Sequence, residues 1–480
     1  MERILSVAEM RAADEFTIKS TGVSSEILVE RAGAAVAEEI TKRFKGGRVL
    51  VCMGKGNNGA DGKVIAAILS KLHGFSVSTF SAEVGFFKIF EKKFDIIIDC
   101  LFGTGLNKEI TGRYKTAVEK INESGAFIVS CDIPSGINGD NGKVMGVAVK
   151  ANLTVAIQEF KLGHFLNQGI DYSGKVVAKD IGISVWTENC AERVTDRDAA
   201  LMFPERPRNI HKGSSPKVLI MGGSKQYSGS VLLSYAALCA YKTGAGYAAV
   251  AVPDCLFNVV AGINPECIIH SLPCDGDKLI FDENALKLLL EYDAIAFGMG
   301  ATTSEETYKI LSYIIKNYTG RLLIDADGIN SLAVFGKEVL KSAERKCSIV
   351  LTPHIGEFCR ISGKDKEEVL ENPIAVAKDF AKEYRVTVLL KNAVSVITDG
   401  NVAVINTTGN NGMAKAGSGD VLSGFTAGLL TRDDEPIMCV AVAAYLFGKA
   451  GDLALKAQNE YAMTATDIVA NLYKAINSVC

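Results

Sequence analysis

Short apolar runs alternate with polar, glycine-rich loops along the first 190 residues of the chain. Apolar runs that end in glycine or aspartate are typical of buried parallel strands, and stretches with a helical apolar spacing between them predict helices. Ser6 and Glu9 form the pattern of a capping box at the first helix. This alternation predicts an α/β fold with a doubly wound, mostly parallel sheet. The predicted strands cover residues 48–53, 75–80, 95–100, 126–131, 153–157 and 176–181, and the predicted helices cover residues 6–20, 24–44, 62–73 and 112–124.

A second α/β series of different layout follows a polar segment at residues 195–216, which holds three of the ten prolines. We therefore predict two domains, residues 1–193 and 194–480. The sequence TDGN at residues 398–401 indicates a hairpin. The predicted strands of the second domain cover residues 217–221, 247–252, 294–297, 321–324, 348–351, 386–390, 394–397 and 402–405, and its predicted helices cover residues 228–242, 420–431, 436–454 and 464–477.

Composition narrows the class of protein. The 480-residue chain has 52 Lys and Arg against 55 Asp and Glu, a formal net charge of −3, which excludes a nucleic-acid binder that works through bulk charge. The twelve cysteines have no zinc-site spacing, and free thiols in this number are typical of a reducing cytosol. The longest apolar run, around residues 437–447, is shorter than the roughly 20 residues that a membrane-spanning helix needs. We expect a cytoplasmic protein without membrane contact.

Three polar turns follow predicted strands in the first half: GKGNNGADG at residues 54–62, DCLFGTG at 99–105 and DIPSG at 132–136. Glycines let backbone amides approach a phosphate at a helix N-terminus, and the carboxyl edge of a parallel sheet is the usual ligand site. The alternative is three tight turns whose glycines only serve the backbone.

Oxygen-bearing side chains lie in the same turns. Asp99 and Asp132 either cap local structure or, with the Asn58 amide and the Ser135 hydroxyl, form an all-oxygen site for a hard cation. Mostly neutral oxygens favour a monovalent cation over a divalent one.

The second half contains NNGMAKAGSGDVLSG at residues 410–424. Gly417 and Gly419 open a predicted helix, so that free amides can hold a phosphoryl group, and Asp420 can take a proton from an attacking hydroxyl. The alternative is an ordinary glycine-rich loop capped by Asp420. Further strand ends carry TPHIGE at 352–357, where Glu357 suits a Mg²⁺-bound water, and DADG at 325–328, whose carboxylates are expected only to brace loops.

GKGNNGADG, DCLFGTGL and CDIPSG, in this order, resemble the NAD(P)H-hydrate epimerase domain, the N-terminal module of the YjeF family, over about residues 1–190. The resemblance implies a Rossmann-like sheet, K⁺ binding and interconversion of the R and S epimers of hydrated NADH and NADPH. It implies Asp132 as the acid/base, and Asn58, Asp99 and Ser135 as K⁺ ligands. The implied substrate-binding residues are Asn57, Asn58, Gly59, Ala60, Asp61, Gly103, Thr104, Gly105, Leu106, Asn107, Lys108, Glu109 and Asp132.

Ala60 and Lys161 are two further positions of the first half that bear on this resemblance. Ala60 stands where the family box NNGGDG has glycine, which would strain the loop if the residue needed a positive φ. Lys161 in FKLG matches a lysine near the family's site, and a solvated surface lysine is the alternative.

GSGD with TPHIGE, DADG and the strand-end lysine Lys391 resembles the ribokinase-like superfold, and more closely the ADP/ATP-dependent (S)-NAD(P)H-hydrate dehydratase, the C-terminal YjeF module, over about residues 195–480. Lys212 and Gly213, with the segment 218–229, match its opening motifs. The resemblance implies that ADP, or ATP, and Mg²⁺ are used. The implied hydrate-binding residues are Ser230, Gly300, His354 and Asp420, and the implied nucleotide-binding residues are Lys391, Asn392, Ala393, Val394, Ser395, Gly417, Ser418 and Gly419.

The second half also departs from its family pattern. Asn392 replaces the glycine of LKG, Ser418 replaces the threonine of GTGD, and Ser230 replaces an alanine. Serine keeps the threonine hydroxyl, and asparagine tolerates a left-handed backbone better than most residues.

Together the resemblances imply a bifunctional repair enzyme for the hydrates of NADH and NADPH, called NADHX and NADPHX. One domain equilibrates the two epimers, and the other returns the S epimer to NAD(P)H while ADP becomes AMP and phosphate. The alternative is a ribokinase-like small-molecule kinase fused to a non-catalytic nucleotide-binding domain. The sequence does not discriminate ADP from ATP, or NADHX from NADPHX. Apolar residues 440–446 favour a homo-oligomer, with a buried core helix as the alternative.

Overall fold

The computed structural model describes residues 1–187, 190–206, 208–209, 215–232, 242–262, 266–276 and 278–480. The chain divides into two compact units, Arg3–Ala191 and Met1–Glu2 with Glu192–Cys480, called here the first and the second unit. Lys212, Gly213 and most of the helix predicted at 228–242 lie outside the described residues.

The first unit is built on a six-stranded parallel sheet, within its described residues. The strands up to residue 179 are β1 (Glu2–Leu5), β2 (Gly47–Met53), β3 (Phe75–Ser81), β4 (Ile96–Cys100), β5 (Phe127–Cys131), β6 (Leu153–Ile157), β7 (Phe160–Lys161) and β8 (Lys175–Lys179). The sheet has the order β3-β2-β4-β5-β6-β8, and β1 pairs separately with β7.

Helices cover both faces of this sheet because alternate residues of a strand point to opposite faces. Ile96 and Ile98 of β4 belong to the core that includes Ile40 and Ile65, whereas Ile97 belongs to the core with Val118. The strands are therefore apolar throughout, as the sequence pattern predicted. The helices of the first unit are Val7–Thr21, Ser25–Arg43, Asn57–Ser70, Gly112–Glu123 and Gly169–Ser173, with 3₁₀ turns at Phe87–Glu91 and Leu162–His164.

The strand order creates one place where ligands are expected. The chain passes from β2 to β3 on one side and returns to β4 on the other side of β2, so that the loops after β2 and β4 diverge. Such a switch point opens a crevice at the carboxyl ends of the strands in doubly wound sheets. The glycine-rich turns after β2 and β4 flank this crevice.

The second unit has a longer mixed sheet in the order β12-β11-β10-β15-β16-β17-β18-β19-β20. The pairs up to β18 are parallel, and β18, β19 and β20 form an antiparallel meander. The strands after residue 190 are β9 (Ala191–Arg193), β10 (Lys217–Met221), β11 (Tyr247–Pro253), β12 (Ile268–Leu272), β13 (Cys274–Asp275), β14 (Lys278–Leu279), β15 (Ala294–Phe297), β16 (Arg321–Ile324), β17 (Ser348–Leu351), β18 (Thr387–Leu390), β19 (Val396–Thr398) and β20 (Ala403–Ile405).

Helices again pack on both faces. Val218 and Ile220 belong to the core of the C-terminal helices, and Leu219 and Met221 to the core on the other face. The described helices of the second unit are Asp196–Leu201, Ser228–Leu232, Phe257–Ala261, Glu283–Leu289, Glu305–Asn317, Asp327–Phe335, Ile355–Ser362, Lys366–Glu371, Pro373–Tyr384, Ser418–Leu429, Pro436–Ala457 and Ala465–Asn477, with 3₁₀ turns at Asp254–Leu256, Lys337–Lys341 and Asn411–Met413.

The helix Pro436–Ala457 corrects one prediction from the sequence. It has 22 residues and is long and apolar enough to cross a membrane, so the argument that its apolar run is too short was wrong. However, 72% of its most apolar 18-residue stretch is buried inside the protein, as in a core helix. Residues 440–446 lie in that core, so this segment is not an exposed oligomer surface.

Most predicted elements agree with the structure. The strands predicted at 217–221, 294–297, 321–324 and 348–351 match β10, β15, β16 and β17 residue for residue. The Ser6–Glu9 capping box is confirmed. The helices Glu305–Asn317 and Pro373–Tyr384 were not predicted, although Ser304 caps one and a proline opens the other.

Candidate active sites

The first unit contains a cavity of about 660 Å³ at the carboxyl ends of its parallel strands. This volume lies within the usual range of small-molecule sites. The sequence-predicted residues that line it are Asn57, Asn58, Asp61, Gly103, Thr104, Gly105, Leu106 and Asp132. Gly59, Ala60, Asn107, Lys108 and Glu109 do not line it, and the last three are exposed.

Asp132 is fixed at the end of β5 by contacts around its side chain and backbone. Its carboxylate pairs with the Lys161 ammonium and accepts a hydrogen bond from the Ile157 amide at 3.1 Å. Its carbonyl lies 2.8 Å from Nε2 of His164, and Nδ1 of the same ring accepts from the Lys161 amide at 3.0 Å. Lys161 is only 1% exposed. The alternative of a solvated surface lysine is therefore wrong.

Asp61 brings a second carboxyl group to the cavity. It lies in the first turns of the helix Asn57–Ser70, beside the Cys131 thiol. Burial, followed by the nearby Asp132 carboxylate, raises the pKa of Asp61 to about 8. Asp61 therefore carries a proton at neutral pH, and Asp14 also lines the cavity with its pKa raised by burial.

The helix Asn57–Ser70 begins at the cavity without a side-chain cap in the described structure. Gly56 is its N-cap residue, so the first amides of the helix face the cavity and favour an anion. Ala60 has no positive φ, because it lies inside the helix with its amide bonded to the Gly56 carbonyl at 3.1 Å. The substitution of glycine by alanine at this position causes no backbone strain.

The three predicted cation ligands are Asn58, Asp99 and Ser135, one in each polar turn. The buried Asp99 carboxylate accepts hydrogen bonds from the Ser130 hydroxyl, the Leu101 amide and both the amide and hydroxyl of Ser135, at 2.6–3.2 Å. Its acceptor positions are therefore filled. Asn58 donates from Nδ2 to the Cys131 carbonyl at 2.9 Å, whereas its buried Oδ1 has no partner among the described residues. This oxygen is left available for a cation.

A second polar cluster lies in the second unit, at the start of the helix Ser418–Leu429. Gly417 precedes the helix with a φ of +91°, which favours glycine. Lys391 Nζ donates to Asp325 Oδ1 at 2.7 Å, and the Ser423 hydroxyl donates to Oδ2 at 2.7 Å. Burial, and then the like charge of Asp325, raise the pKa of Asp420 to about 7, against the opposing effect of Lys391.

His354 and Glu357 lie at the same edge of the sheet, next to Lys391. His354 caps the helix Ile355–Ser362 by accepting at Nδ1 from the Gly356 amide at 2.9 Å, and Glu357 accepts from the His354 amide at 2.8 Å. His354 also pairs as an isolated parallel bridge with Lys391. Burial raises the pKa of Glu357, and the nearby Asp325 carboxylate adds to this.

The predicted hydrate residues Ser230 and Gly300 are neighbours. A Cβ atom on Gly300 would lie 2.9 Å from the Ser230 Cβ, so that only glycine fits there with its φ of +65°. The two other hydrate residues, His354 and Asp420, belong to the strand-edge cluster around Lys391 and Asp325 described above.

The predicted nucleotide residues form two loops. Asn392 and Ala393 are exposed, Val394 is buried, and Asn392 has no positive φ, so its substitution for glycine causes no strain. Across from them, a Cβ on Gly419 would lie 3.5 Å from Lys391 Nζ, which brings the GSGD loop to the strand-end lysine. The Ser418 hydroxyl is buried and has no partner among the described residues.

Sequence reasoning missed one central residue. Asp325 was expected only to brace a loop, yet it is buried and holds Lys391 and Ser423. Asp327 does brace a loop, because it accepts from the Thr302 amide at 2.9 Å. The signal that was available for Asp325 is its position directly after strand β16, at the ligand edge of the sheet.

The two folds and sites define a class of two-domain α/β enzymes that act on nucleotide-like substrates. A family model for NAD(P)H-hydrate dehydratase matches residues 218–474, and a model for the YjeF-related protein N-terminus matches residues 25–87 and 80–163. A bifunctional NAD(P)H-hydrate repair enzyme from Thermofilum pendens is 32% identical over 514 aligned residues, which cover 99% of this chain and 97% of the relative. The chain belongs to the family of bifunctional NAD(P)H-hydrate repair enzymes.

Solved structures resemble the second unit. An ADP/ATP-dependent NAD(P)H-hydrate dehydratase from Bacillus subtilis, co-crystallised with ATP and Mg²⁺, is 25% identical with a TM-score of 0.52, covering 60% of this chain and 99% of that one. A ribokinase-like protein from Enterococcus faecalis, 22% identical, matches with a TM-score of 0.53 over 62% of this chain and 99% of its own. These similarities confirm the predicted ribokinase-like fold. The family confirms the predicted bifunctional activity, so the kinase alternative is not favoured.

Proposed function

We propose that the first unit epimerises NADHX and NADPHX and that the second unit dehydrates the S epimers, each with its own acid/base carboxyl group. The observation that supports this division is the arrangement of Asp132 beside Lys161 in one unit and of Asp420 beside Lys391 and Asp325 in the other. Neither carboxyl group belongs to the other unit, so the two activities are separable by mutation.

Epimerisation inverts the carbon that carries the hydroxyl group, C6 of the hydrated ring. The C6–O bond breaks as the oxygen takes a proton and leaves as water, while the ring nitrogen forms a double bond to C6. Water then adds to the opposite face and returns a proton. We assign these proton transfers to Asp132, which Lys161 and His164 hold in place. The protonated Asp61 adds no further negative charge to the cavity.

We propose that K⁺ binds beside this cavity. The buried Oδ1 of Asn58, which has no partner among the described residues, fits a cation. The Asp99 carboxylate is covered by the amide and hydroxyl of Ser135, so its charge lies on the far side of Ser135 from the ion. The Asn58 amide oxygen and the Ser135 hydroxyl would hold the ion, and the Asp99 carboxylate would contribute through its charge. The ion would offset part of the substrate's phosphate charge when bound. We expect epimerisation to be faster in K⁺ than in Na⁺ and Asn58→Leu to remove this difference. Equal rates in the two salts would contradict the site.

Dehydration in the second unit uses a phosphoryl group. Asp420 takes the proton of the C6 hydroxyl as its oxygen attacks the terminal phosphoryl group of ADP, and AMP leaves. Phosphate then departs from C6 with a proton from C5, which restores the dihydropyridine. The amides of Gly417, Ser418 and Gly419 would hold the transferred phosphoryl group.

Nucleotide and Mg²⁺ belong together in this site. No cluster of three or more Asp, Glu, His or Cys side chains able to bind a metal occurs in the described chain, so the nucleotide phosphates must supply part of the coordination. Glu357 would hold a Mg²⁺-bound water, and the ion would neutralise phosphate charge. Lys391 and the residues up to Ser395 would contact the nucleotide.

The test uses both epimers. Mixed hydrates are incubated with the enzyme and either ADP or ATP, and each epimer is followed by chromatography while NAD(P)H absorbance is recorded. We expect both epimers to disappear, absorbance to return, and ADP to support the reaction. A stable phosphorylated product without return of absorbance would instead indicate a kinase. If the R epimer disappears no faster with the enzyme than without it, the epimerase assignment is wrong.

A further inference from the structure

The cavity of the first unit extends along the ends of four neighbouring strands. β3, β2, β4 and β5 lie in this order, and their ends contribute Glu83, Gly56, Gly103 and Asp132 to its lining. Three spacings of about 4.8 Å separate the outer strands, which gives roughly 14 Å between the two ends. A dinucleotide placed along this edge has its two nucleoside halves on opposite sides of the turn after β2.

Chemical groups are distributed unevenly along this edge. The proton-transfer groups Asp132, Lys161 and Asp61 lie at the β5 end, and the uncapped helix start at Asn57 and Asn58 lies in the middle. If the hydrated ring is at Asp132 and the diphosphate at the helix start, the adenosine half lies at the β3 end. Glu83 is the acidic residue of that end.

The loop that carries Glu83 is held in a fixed position. The Ala82 amide donates to the Met53 carbonyl at 3.1 Å, which ties the loop to β2. Arg113 donates from Nε to the Ala82 carbonyl at 3.1 Å and from its terminal nitrogen to the Gly85 carbonyl at 2.5 Å. The carboxylate of Glu83 is therefore presented from an anchored backbone.

Glu83 forms one ion pair at the cavity, with Lys55 at 2.6 Å. The Lys55 side chain is 77% exposed and the Glu83 side chain 31%, so the lysine is the more solvent-exposed partner. A ligand that approaches this end meets the anchored carboxylate as the fixed charge.

We propose that Glu83 selects NADHX over NADPHX by accepting hydrogen bonds from the 2′ and 3′ hydroxyl groups of the adenosine ribose. In βαβ dinucleotide sites, an acidic residue after the second strand binds the ribose hydroxyl groups. Here β2, its glycine-rich turn, the helix Asn57–Ser70 and β3 form such a unit, with Glu83 two residues after β3. The inference rests on the proposed function, since it needs the hydrated ring at Asp132.

The 2′-phosphate of NADPHX would be repelled by Glu83, whereas the 2′ hydroxyl of NADHX can donate a hydrogen bond to it. The phosphate carries up to two negative charges, which would lie at a short distance from the Glu83 carboxylate. The Lys55 ammonium is shared with Glu83 in the existing ion pair, so it compensates only part of this repulsion. The Glu83 carboxylate therefore lowers the affinity for NADPHX without acting on the reacting carbon.

The experiment measures kcat/KM for epimerisation of NADHX and NADPHX in the full-length enzyme and its variants. We expect the wild type to prefer NADHX by at least about tenfold, since one unpaired charge contact changes specificity on this scale. Glu83→Gln should lower this ratio through a smaller KM for NADPHX, with kcat little changed. Lys55→Gln should raise the ratio, because it leaves the carboxylate unpaired. Glu91→Gln is the matched control on an exposed glutamate outside the cavity.

The rates of the wild type and the variants distinguish failure of the Glu83 contact from failure of the epimerase activity itself. If the wild type epimerises both hydrates with equal kcat/KM, or if Glu83→Gln keeps the wild-type ratio, Glu83 does not discriminate between the two hydrates at the adenosine ribose. Opposite shifts of the ratio in the Glu83 and Lys55 variants would support it, since loss of fold cannot move one ratio up and the other down. If the wild type epimerises neither hydrate, the proposed function itself is wrong.

Discussion

Both units place a lysine–aspartate ion pair at the carboxyl ends of parallel strands, but the pair has a different relation to the acid/base group. In the first unit, Lys161 pairs with Asp132 itself. In the second unit, Lys391 pairs with Asp325 at 2.7 Å, and Asp420 has no ion pair within the described chain. One carboxylate is thus held directly by a cation, and the other is adjacent to an existing ion pair.

The second arrangement bears on the protonation of Asp420. Asp420 lies near both Lys391 and the like-charged Asp325, and burial with that like charge raises its pKa to about 7. A base with this pKa exchanges a proton readily near neutral pH. A like-charged neighbour within an existing ion pair is thus part of what sets the protonation of Asp420.

Loss of Asp420 should have the largest effect. Asp420→Ala should slow nucleotide-dependent dehydration at least about 100-fold, the scale expected for a general base. Return of NAD(P)H absorbance from pure S hydrate with ADP measures this. Epimerisation by the same variant should persist, and near wild-type dehydration would show that GSGD does not supply the base.

Replacement of Asp132 tests the acid/base group of the first unit. Asp132→Asn should slow epimerisation by about 100-fold, because the amide cannot transfer the proton. With mixed epimers and ADP, the variant should consume the S hydrate and stop with R hydrate remaining, as measured by chromatography. Dehydration of pure S hydrate is the internal control. Consumption of both epimers at the wild-type rate would contradict the role of Asp132.

The charge of Asp325 should set the pH dependence of dehydration. Asp420 is active as a base when ionised, so dehydration should rise as the pH increases through about 7. Asp325→Asn removes the like charge, lowers the pKa of Asp420, and should move the acid limb of kcat/KM to lower pH by about 1 unit. Ser423→Ala, which keeps the Asp325 charge, is the control and should move the limb less. An unchanged limb in both variants would contradict the electrostatic coupling.

The smallest effect concerns stability in the first unit. The pKa of Asp61 in the folded protein, about 8, lies above the ordinary value of 3.8, so folding favours its protonated form. Its contribution to stability is full below about pH 4 and is lost as the pH rises through about 8. Asp61→Asn should therefore stabilise the first unit at pH 9 by about 1–3 kcal/mol relative to wild type, and less at pH 5.

Fluorescence of the only tryptophan, Trp186, follows unfolding of the first unit in this test, because Trp186 lies within it and packs edge-on against Phe16 at 5.9 Å. A difference between wild type and variant that does not change between pH 5 and pH 9 would contradict the raised pKa.

The sequence predicted the strands and their polar ends because both have local signals. Strand β4 is a run of isoleucines, and the glycine-rich turn after β2 is visible by eye. Contacts between distant positions have no such signal. Asp325 and Ser423 are 98 residues apart, and the pairing of Lys161 with Asp132 depends on β5 and β6 being neighbours. The backbone of Ala60 could be judged only once its helix was known to begin at Asn57.

Asp132 has a φ of +66°, a conformation in which asparagine, aspartate and glycine are tolerated best. The position is therefore constrained by the backbone as well as by chemistry. A descendant of this domain that lost epimerase activity would be free of the chemical constraint but not of the backbone one. We expect asparagine or glycine there in such degenerate copies, while a β-branched residue would indicate that the turn itself had been rebuilt.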